Sequence, residues 1–376
     1  MAGIYIHIPF CKSKCFYCDF YSVARLNKKK DYIEALLYEV ENQQNYLDGE
    51  LIETIYFGGG TPSLLTIYEI NLIIDKIAAL FKIAVNPEIT LELNPDDITP
   101  EFAKDLKNKT AVNRVSIGIQ SFFDEDLKLM NRRHNANQSI DSVKLLNQVG
   151  FENISIDLIY GLPSLNVDKW KSNLQQAFEL PVQHISAYHL TYEPNTVFER
   201  KIRDKKIIPL LEEESILQYK MLVYNMKNND FVQYEISNFA KKNYESKHNT
   251  NYWKQKKYLG LGASAHSYNG NSRQWNINDV QVYIDCILNK KEGLFSSENL
   301  SLTDQYNEYI MTSLRTIWGL DLNYVETQFG VQFKNQCLSF ANTYLELGFI
   351  VKNENKLTLS EEGKLISDRI ILEMFK

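Results

Sequence analysis

Three cysteines fall within eight residues near the N-terminus, in CKSKCFYCDF, as Cys11, Cys15 and Cys18 with the spacing C-x3-C-x2-C. A disulfide uses two thiols, and a structural zinc site usually closes its shell with four ligands. Three thiolates on a centre that prefers four ligands leave one position open for a ligand or substrate. A closed zinc site of the three cysteines and His7 is the plain alternative. Cys286 and Cys337 read as buried small apolar residues. Such usage suits a reducing cytosol with one thiolate site, not a disulfide framework.

The elements around this loop alternate in period. Short β-rich runs occur at GIYIHIPF, ETIYFGGG, EITLELNP, NRVSIGIQ, NISIDLIYG and HISAYHLTY, with amphipathic helical patterns between them. Six β–α units in succession predict a parallel sheet with helices outside. One strand parity carries Ile4, Ile6, Ile8, Ile89, Leu91, Leu93, Val115, Ile117 and Ile119; the other carries Tyr5, His7, Glu92, Asn94, Ser116, Gln120 and Asp157. Successive strand residues face opposite ways. A sheet covered by helices on both faces is apolar on both. An apolar face backed by a polar one predicts instead an α/β fold of the incomplete (β/α)6 barrel kind. Its lumen takes a polar ligand at the C-terminal strand ends. The cysteine loop follows the first strand and lies at that end. Residues 1–240 form this barrel, 241–300 a connecting hairpin region, and 301–376 a small helical, winged-helix-like domain.

Bulk properties narrow the function. The chain has 376 residues and a net charge of −6, from 41 basic against 47 acidic side chains. That balance argues against a general nucleic-acid footprint. No apolar run reaches the ~18 residues of a spanning helix, and MAGIYIHIPF lacks the basic start of a signal peptide. A cytoplasmic protein is expected.

The cysteine motif with Tyr17 before its last Cys, preceded by YIHIPF and followed by GGGTPS, resembles the radical SAM superfamily. IDLIYGLP and LTLSEEGKLISDRI extend the likeness to its coproporphyrinogen-oxidase-like branch. The resemblance implies a 4Fe-4S cluster on Cys11, Cys15 and Cys18, with S-adenosylmethionine chelating the open iron. It assigns Gly59, Gly60 and Thr61 to the methionyl end. Thr61 and Pro62 read as the N-cap and first residue of the next helix, whose free N–H groups suit a carboxylate. Glu92 matches the acidic residue of the third strand, Gln120 and Arg132 the ribose and carboxylate contacts, and Asp157 the fifth-strand acid. Arg132, in NRRH, could equally be a solvated helix charge. Tyr5 is expected over the cluster, and His7 reads as a satisfied core histidine.

Two members of the branch compete. The oxygen-independent coproporphyrinogen III dehydrogenase, an oxidative decarboxylase, carries a further cysteine where this chain has Phe20. It also has a longer N-terminal extension, whereas this chain starts ten residues before Cys11. HNTNYW, residues 248–253, resembles instead the H-N-x-x-Y-W motif of the haem chaperones in this branch. The resemblance implies His248 on haem iron, with Tyr252 and Trp253 on the porphyrin face. Lys241, Lys242, Lys247, Lys254, Lys256 and Lys257 suit haem propionates or an anionic membrane surface. His248 is expected outside the barrel strands, and His266 on a loop facing the adenosine end. The expected partners are haem, recipient respiratory haem proteins and the inner face of the membrane, with a homodimer as the assembly to test.

Overall fold

The computed structural model describes all 376 residues. Its main sheet has twelve strands. Six run parallel in chain order: β1 (Ala2–Ile8), β2 (Ile52–Gly59), β3 (Ile83–Leu93), β4 (Arg114–Gln120), β5 (Asn153–Tyr160) and β6 (His184–His189). Sequential order requires every crossover to move the same way, the winding of a barrel rather than of a doubly wound sheet. The sheet is not closed. Beyond β6 come β8 (Asn238–Ala240) and β7 (Val232–Gln233), antiparallel. Beyond β1 come β9 (Tyr258–Leu261), β10 (His266–Tyr268), β11 (Ser272–Asn276) and β12 (Phe295–Asn299). β9 pairs with β1 in parallel, and β9 to β12 then meander antiparallel. The segment 241–300 therefore extends the barrel sheet while also holding the expected hairpins.

The side-chain alternation is realised. Ile4, Ile6, Ile8, Leu91, Val115, Ile117 and Ile119 are wholly buried beneath the helices, in one apolar core reaching from Ala2 to Ile284. A second core, from Tyr306 to Met374, joins helices Leu302–Leu314 and Val331–Glu346 to β13 (Leu320–Asp321), β14 (Ile350–Asn353) and β15 (Lys356–Leu359). Those strands form a separate antiparallel sheet, ordered β13-β15-β14, which is the wing. A buried carboxylate ties the barrel to its extension. Glu39, on helix Lys29–Asn42, accepts hydrogen bonds from Gly262 N–H at 2.7 Å, Asn276 Nδ2 at 2.5 Å and the Tyr283 hydroxyl at 2.6 Å. No helix is long and apolar enough to cross a membrane.

Candidate functional site

The lumen is layered. At the C-terminal ends of the strands the cysteine loop is pinned by its backbone. Cys11 N–H donates to Val23 O at 3.0 Å, Val23 N–H to Pro9 O at 2.7 Å and Phe16 N–H to Met130 O at 3.1 Å. The three cysteines are half-buried. Burial, followed by the neighbouring Cys15, pushes the Cys18 thiol up to about 11, and burial raises Cys11 also. In this half-buried loop Cys11 and Cys18 resist ionisation unless a positive centre compensates them. No three His, Cys, Asp or Glu side chains are grouped as for a single ion. A 4Fe-4S cluster would be held by three cysteine thiolates of one loop, here Cys11, Cys15 and Cys18. The donor set fits such a cluster. His7 does not join it: Nε2 meets Tyr21 O at 2.9 Å and Nδ1 the Tyr5 hydroxyl at 3.1 Å. It is the satisfied core histidine its sequence context suggests.

Arg132 is not a helix charge. It lies in a turn after helix Asp124–Leu129, and its guanidinium faces inward. Nη1 donates to Cys15 Sγ at 3.3 Å, and Nη2 to Asn94 Oδ1 and Gly118 O, each at 2.6 Å. Arg132 thus links the cysteine loop to the ends of β3 and β4. Tyr17 shares this corner; burial raises its phenol pKa, offset in part by Arg132. Gln120 ends β4 with φ at +73°, in left-handed space, beside a register break between Gly118 and Gln120. Such backbone in a non-glycine residue holds only where its surroundings enforce it.

The glycine stretch is needed sterically. Gly59 has φ at +105°, and a Cβ there would stand 2.6 Å from the His7 ring; at Gly60 it would stand 2.8 Å from Ile8 O and Phe10 O. The Thr61 reading needs correction. Thr61 and Pro62 do take the N-cap and first positions, but of a three-residue 3-10 helix, Pro62–Leu64, and Thr61 makes no side-chain cap. Its buried hydroxyl donates towards Cys11 Sγ at 3.4 Å and accepts from Asn94 Nδ2 at 3.1 Å. The α-helix starts later, at Ile67, capped by Thr66 and Glu69 in a capping box.

Below this level Glu92 accepts from the Tyr56 hydroxyl at 2.8 Å. Burial pushes the Glu92 carboxyl up to about 7 and the Asp157 carboxyl to about 6, the latter against hydrogen bonding from Ser186 and the Arg114 charge. Tyr56 and Arg114 are lumen residues that the sequence reading did not single out. Strand alternation with Glu92 and Asp157 was the signal available for both.

The HNTNYW motif does lie outside the barrel strands, but as helix Lys247–Trp253 it closes the floor of the lumen. The Glu88 carboxylate accepts the Lys247 and His248 backbone N–H groups at 3.0 Å each. His248 is 2 % exposed. Its ring bonds Thr54 Oγ1 through Nδ1 and the Tyr252 hydroxyl through Nε2, both at 2.8 Å. It stacks on Tyr56 with ring centres 5.0 Å apart. The imidazole is engaged at both nitrogens rather than free for iron.

Tyr252 and Trp253 do face an open space. A cavity of about 540 Å3 lies between the lumen, the β9–β11 extension and helix Leu302–Leu314. Tyr5, His7 and Phe20 form its wall towards the cysteine loop; Tyr258, Tyr268, His266 and Arg273 form its far wall. Its size is that of a small-molecule site. His266, expected on a loop, begins β10 and stands on this wall, stacked on Trp275 at 6.2 Å. None of the six motif-flanking lysines lines the cavity. Lys256 pairs with Glu53, Lys257 with Asp48, and Lys241 and Lys254 lie over the Phe231 and Trp318 rings. The basic patch is therefore largely spent within the fold.

Comparison with known proteins agrees with this architecture. The Radical SAM superfamily signature matches residues 5–177, and the HemN C-terminal domain matches residues 300–366. A Bacillus subtilis protein named heme chaperone HemW is 33% identical over 372 residues, spanning 98% of both chains. The Lactococcus lactis protein of that name is 36% identical, over 96% of this chain and 93% of the relative. In fold, the chain is similar to the Escherichia coli coproporphyrinogen III oxidase HemN, a radical SAM enzyme. The TM-score is 0.86 at 21% identity, covering 100% of this chain and 90% of that one. Full-length identity above 30% joins the radical SAM core and the winged C-terminal domain in one lineage: the chain belongs to the HemW family of the radical SAM superfamily.

Proposed function

We propose that this protein binds haem and passes it to haem proteins, from a core that holds a 4Fe-4S cluster and S-adenosylmethionine. The observation that carries the reading is the cavity walled by Tyr252 and Trp253 of the HNTNYW helix, opening beside the cysteine loop. A flat, apolar macrocycle suits aromatic walls. The names of the Bacillus and Lactococcus relatives support the same cargo.

Cys11, Cys15 and Cys18 are the residues that would hold the cluster, with the Arg132 guanidinium donating to one of the sulfurs. Gly59, Gly60 and Thr61 line the approach for the methionyl end of S-adenosylmethionine, and Glu92, Gln120, Arg132 and Asp157 its polar contacts. A bound cluster supplies one-electron chemistry and an open iron. The chain's own part is to hold the ligands in a lumen that carries matched charges. His248 acts in haem binding by fixing Tyr252, whose hydroxyl it bonds inside the floor. His266 offers the cavity an imidazole that makes no protein hydrogen bond; burial and Arg273 lower its pKa, favouring the neutral form that ligates iron. Residues 1–240 and 301–376 are read as the two working domains, with 241–300 between them. Recipients are respiratory haem proteins, met at the inner face of the membrane by a cytoplasmic, homodimeric chaperone.

The competing reading, coproporphyrinogen decarboxylation, has the HemN-like fold on its side. Against it, Phe20 stands exposed at the cavity where that enzyme carries a further cysteine. The test is the double variant Tyr252→Ala/Trp253→Ala, titrated with haem by its absorption band. Loss of haem with the cluster's iron and sulfide retained is expected. Haem bound as tightly as by the unaltered protein overturns the reading.

A further inference from the structure

Arg273 is the only lysine or arginine on the cavity wall. It comes from β11, and its guanidinium lies 5.8 Å over the Tyr268 ring. Nη2 is paired with Glu308 Oε1 at 2.9 Å. Glu308 comes from helix Leu302–Leu314 on the opposite side of the cavity and is only 16% exposed. Arg273 Nε is buried and has no hydrogen-bond partner. Glu308 thus engages Nη2, one of the two donors of the guanidinium's Nε/Nη2 edge, and leaves the other, Nε, unsatisfied. A carboxylate prefers two parallel N–H donors, as that edge offers.

We propose that Arg273 is the carboxylate-binding site of this cavity, that Glu308 is a stand-in for a ligand carboxylate, and that a propionate of the bound tetrapyrrole displaces it. The proposal rests on the haem reading above and names how the cargo is oriented. Two carboxylates cannot share one half-buried guanidinium without repulsion. A propionate seated on the Nε edge therefore expels Glu308. The exchange replaces a one-donor ion pair with a bidentate pair, and no covalent bond changes. Burial already raises the Glu308 pKa despite Arg273. The aromatic wall takes the apolar ring while one charged corner fixes its direction. Without Arg273 the cavity has no cation to distinguish the propionate edge of haem from the opposite one.

The full-length protein is titrated with haem and with haem whose two propionates are methyl esters, following the absorption band. Arg273→Gln is expected to weaken haem binding at least about tenfold, the loss of one charge-assisted contact, and to leave the diester unchanged. Glu308→Gln is expected to tighten haem several-fold, because the competing carboxylate is gone, again without effect on the diester. Arg273→Lys keeps the charge without the fork and should fall between. Unfolding midpoints check that each variant is folded. Equal haem affinity in Arg273→Gln and the unaltered protein overturns the assignment. So does equal weakening in Arg273→Gln and Glu308→Gln, since the pair would then act only as a strut. Failure of the unaltered protein to bind haem at all overturns the haem reading and this assignment with it, whereas the other two results leave that reading standing.

Discussion

His248→Ala removes the centre of the lumen floor. The ring bonds the hydroxyls of Thr54 and Tyr252 at 2.8 Å each, stacks on Tyr56 and meets Tyr252 edge-on with ring centres 4.9 Å apart. Both hydroxyls lose their partner in the interior, and a ring-sized void adds to that loss. The cost at pH 7 is expected to be about 3–5 kcal/mol of folding free energy. The cost depends on pH. Burial, and then the Arg114 charge, hold the imidazole pKa down to about 3. In the unfolded chain it titrates near 6.5. As pH falls below that value the unfolded state gains a proton that the folded state refuses, so the stability that His248 contributes at neutral pH is lost on acidification. At about 1.4 kcal/mol per pH unit, the difference between the two proteins should shrink by about 2 kcal/mol from pH 7 to pH 5. Urea unfolding followed by circular dichroism and tryptophan fluorescence at the two pH values measures it. A difference below about 1 kcal/mol at pH 7, or one that does not change with pH, would refute the placement of His248 in the floor. Haem affinity should fall as well, since Tyr252 loses its anchor, and is read on the folded fraction.

Anaerobic reconstitution should yield about four irons and four sulfides per chain, and none in the variant with Cys11, Cys15 and Cys18 all changed to Ala; stoichiometric zinc instead would contradict the cluster reading. Glu92 is pushed up to about 7, burial outweighing the Tyr56 hydrogen bond. S-adenosylmethionine binding to cluster-loaded protein should therefore weaken as pH drops through about 7 and lose that dependence in Glu92→Gln; equilibrium dialysis decides, and a dependence unchanged in the variant removes Glu92 from the site. Coproporphyrinogen III incubated with cluster-loaded protein, S-adenosylmethionine and a reductant should not give protoporphyrinogen IX, and clear conversion would restore the decarboxylase reading.

Local chemistry explains what was legible in the sequence. The C-x3-C-x2-C spacing lies within one loop. The alternation of Ile4, Ile6 and Ile8 with Tyr5 and His7 follows from strand geometry alone, and so does the two-faced sheet. The β–α rhythm then dictates a parallel sheet, since parallel neighbours need a crossover between them. What escaped depends on contacts between residues far apart in the chain. The imidazole of His248 is closed off by Thr54, 194 residues away. In the sequence its neighbours are lysines, which suggested an exposed loop. In the fold those lysines turn to Glu53, Asp48 and aromatic rings, and the histidine turns inward. Thr61 likewise looked like a helix cap because Pro62 follows it, but its hydroxyl is claimed by Cys11 and Asn94. The cavity itself exists only where the β9–β11 extension and helix Leu302–Leu314 come together. His266, Arg273 and Glu308 share no motif and acquire a common role through that packing alone. Short-range periodicity determines which face a side chain takes; only the tertiary fold decides what stands opposite it.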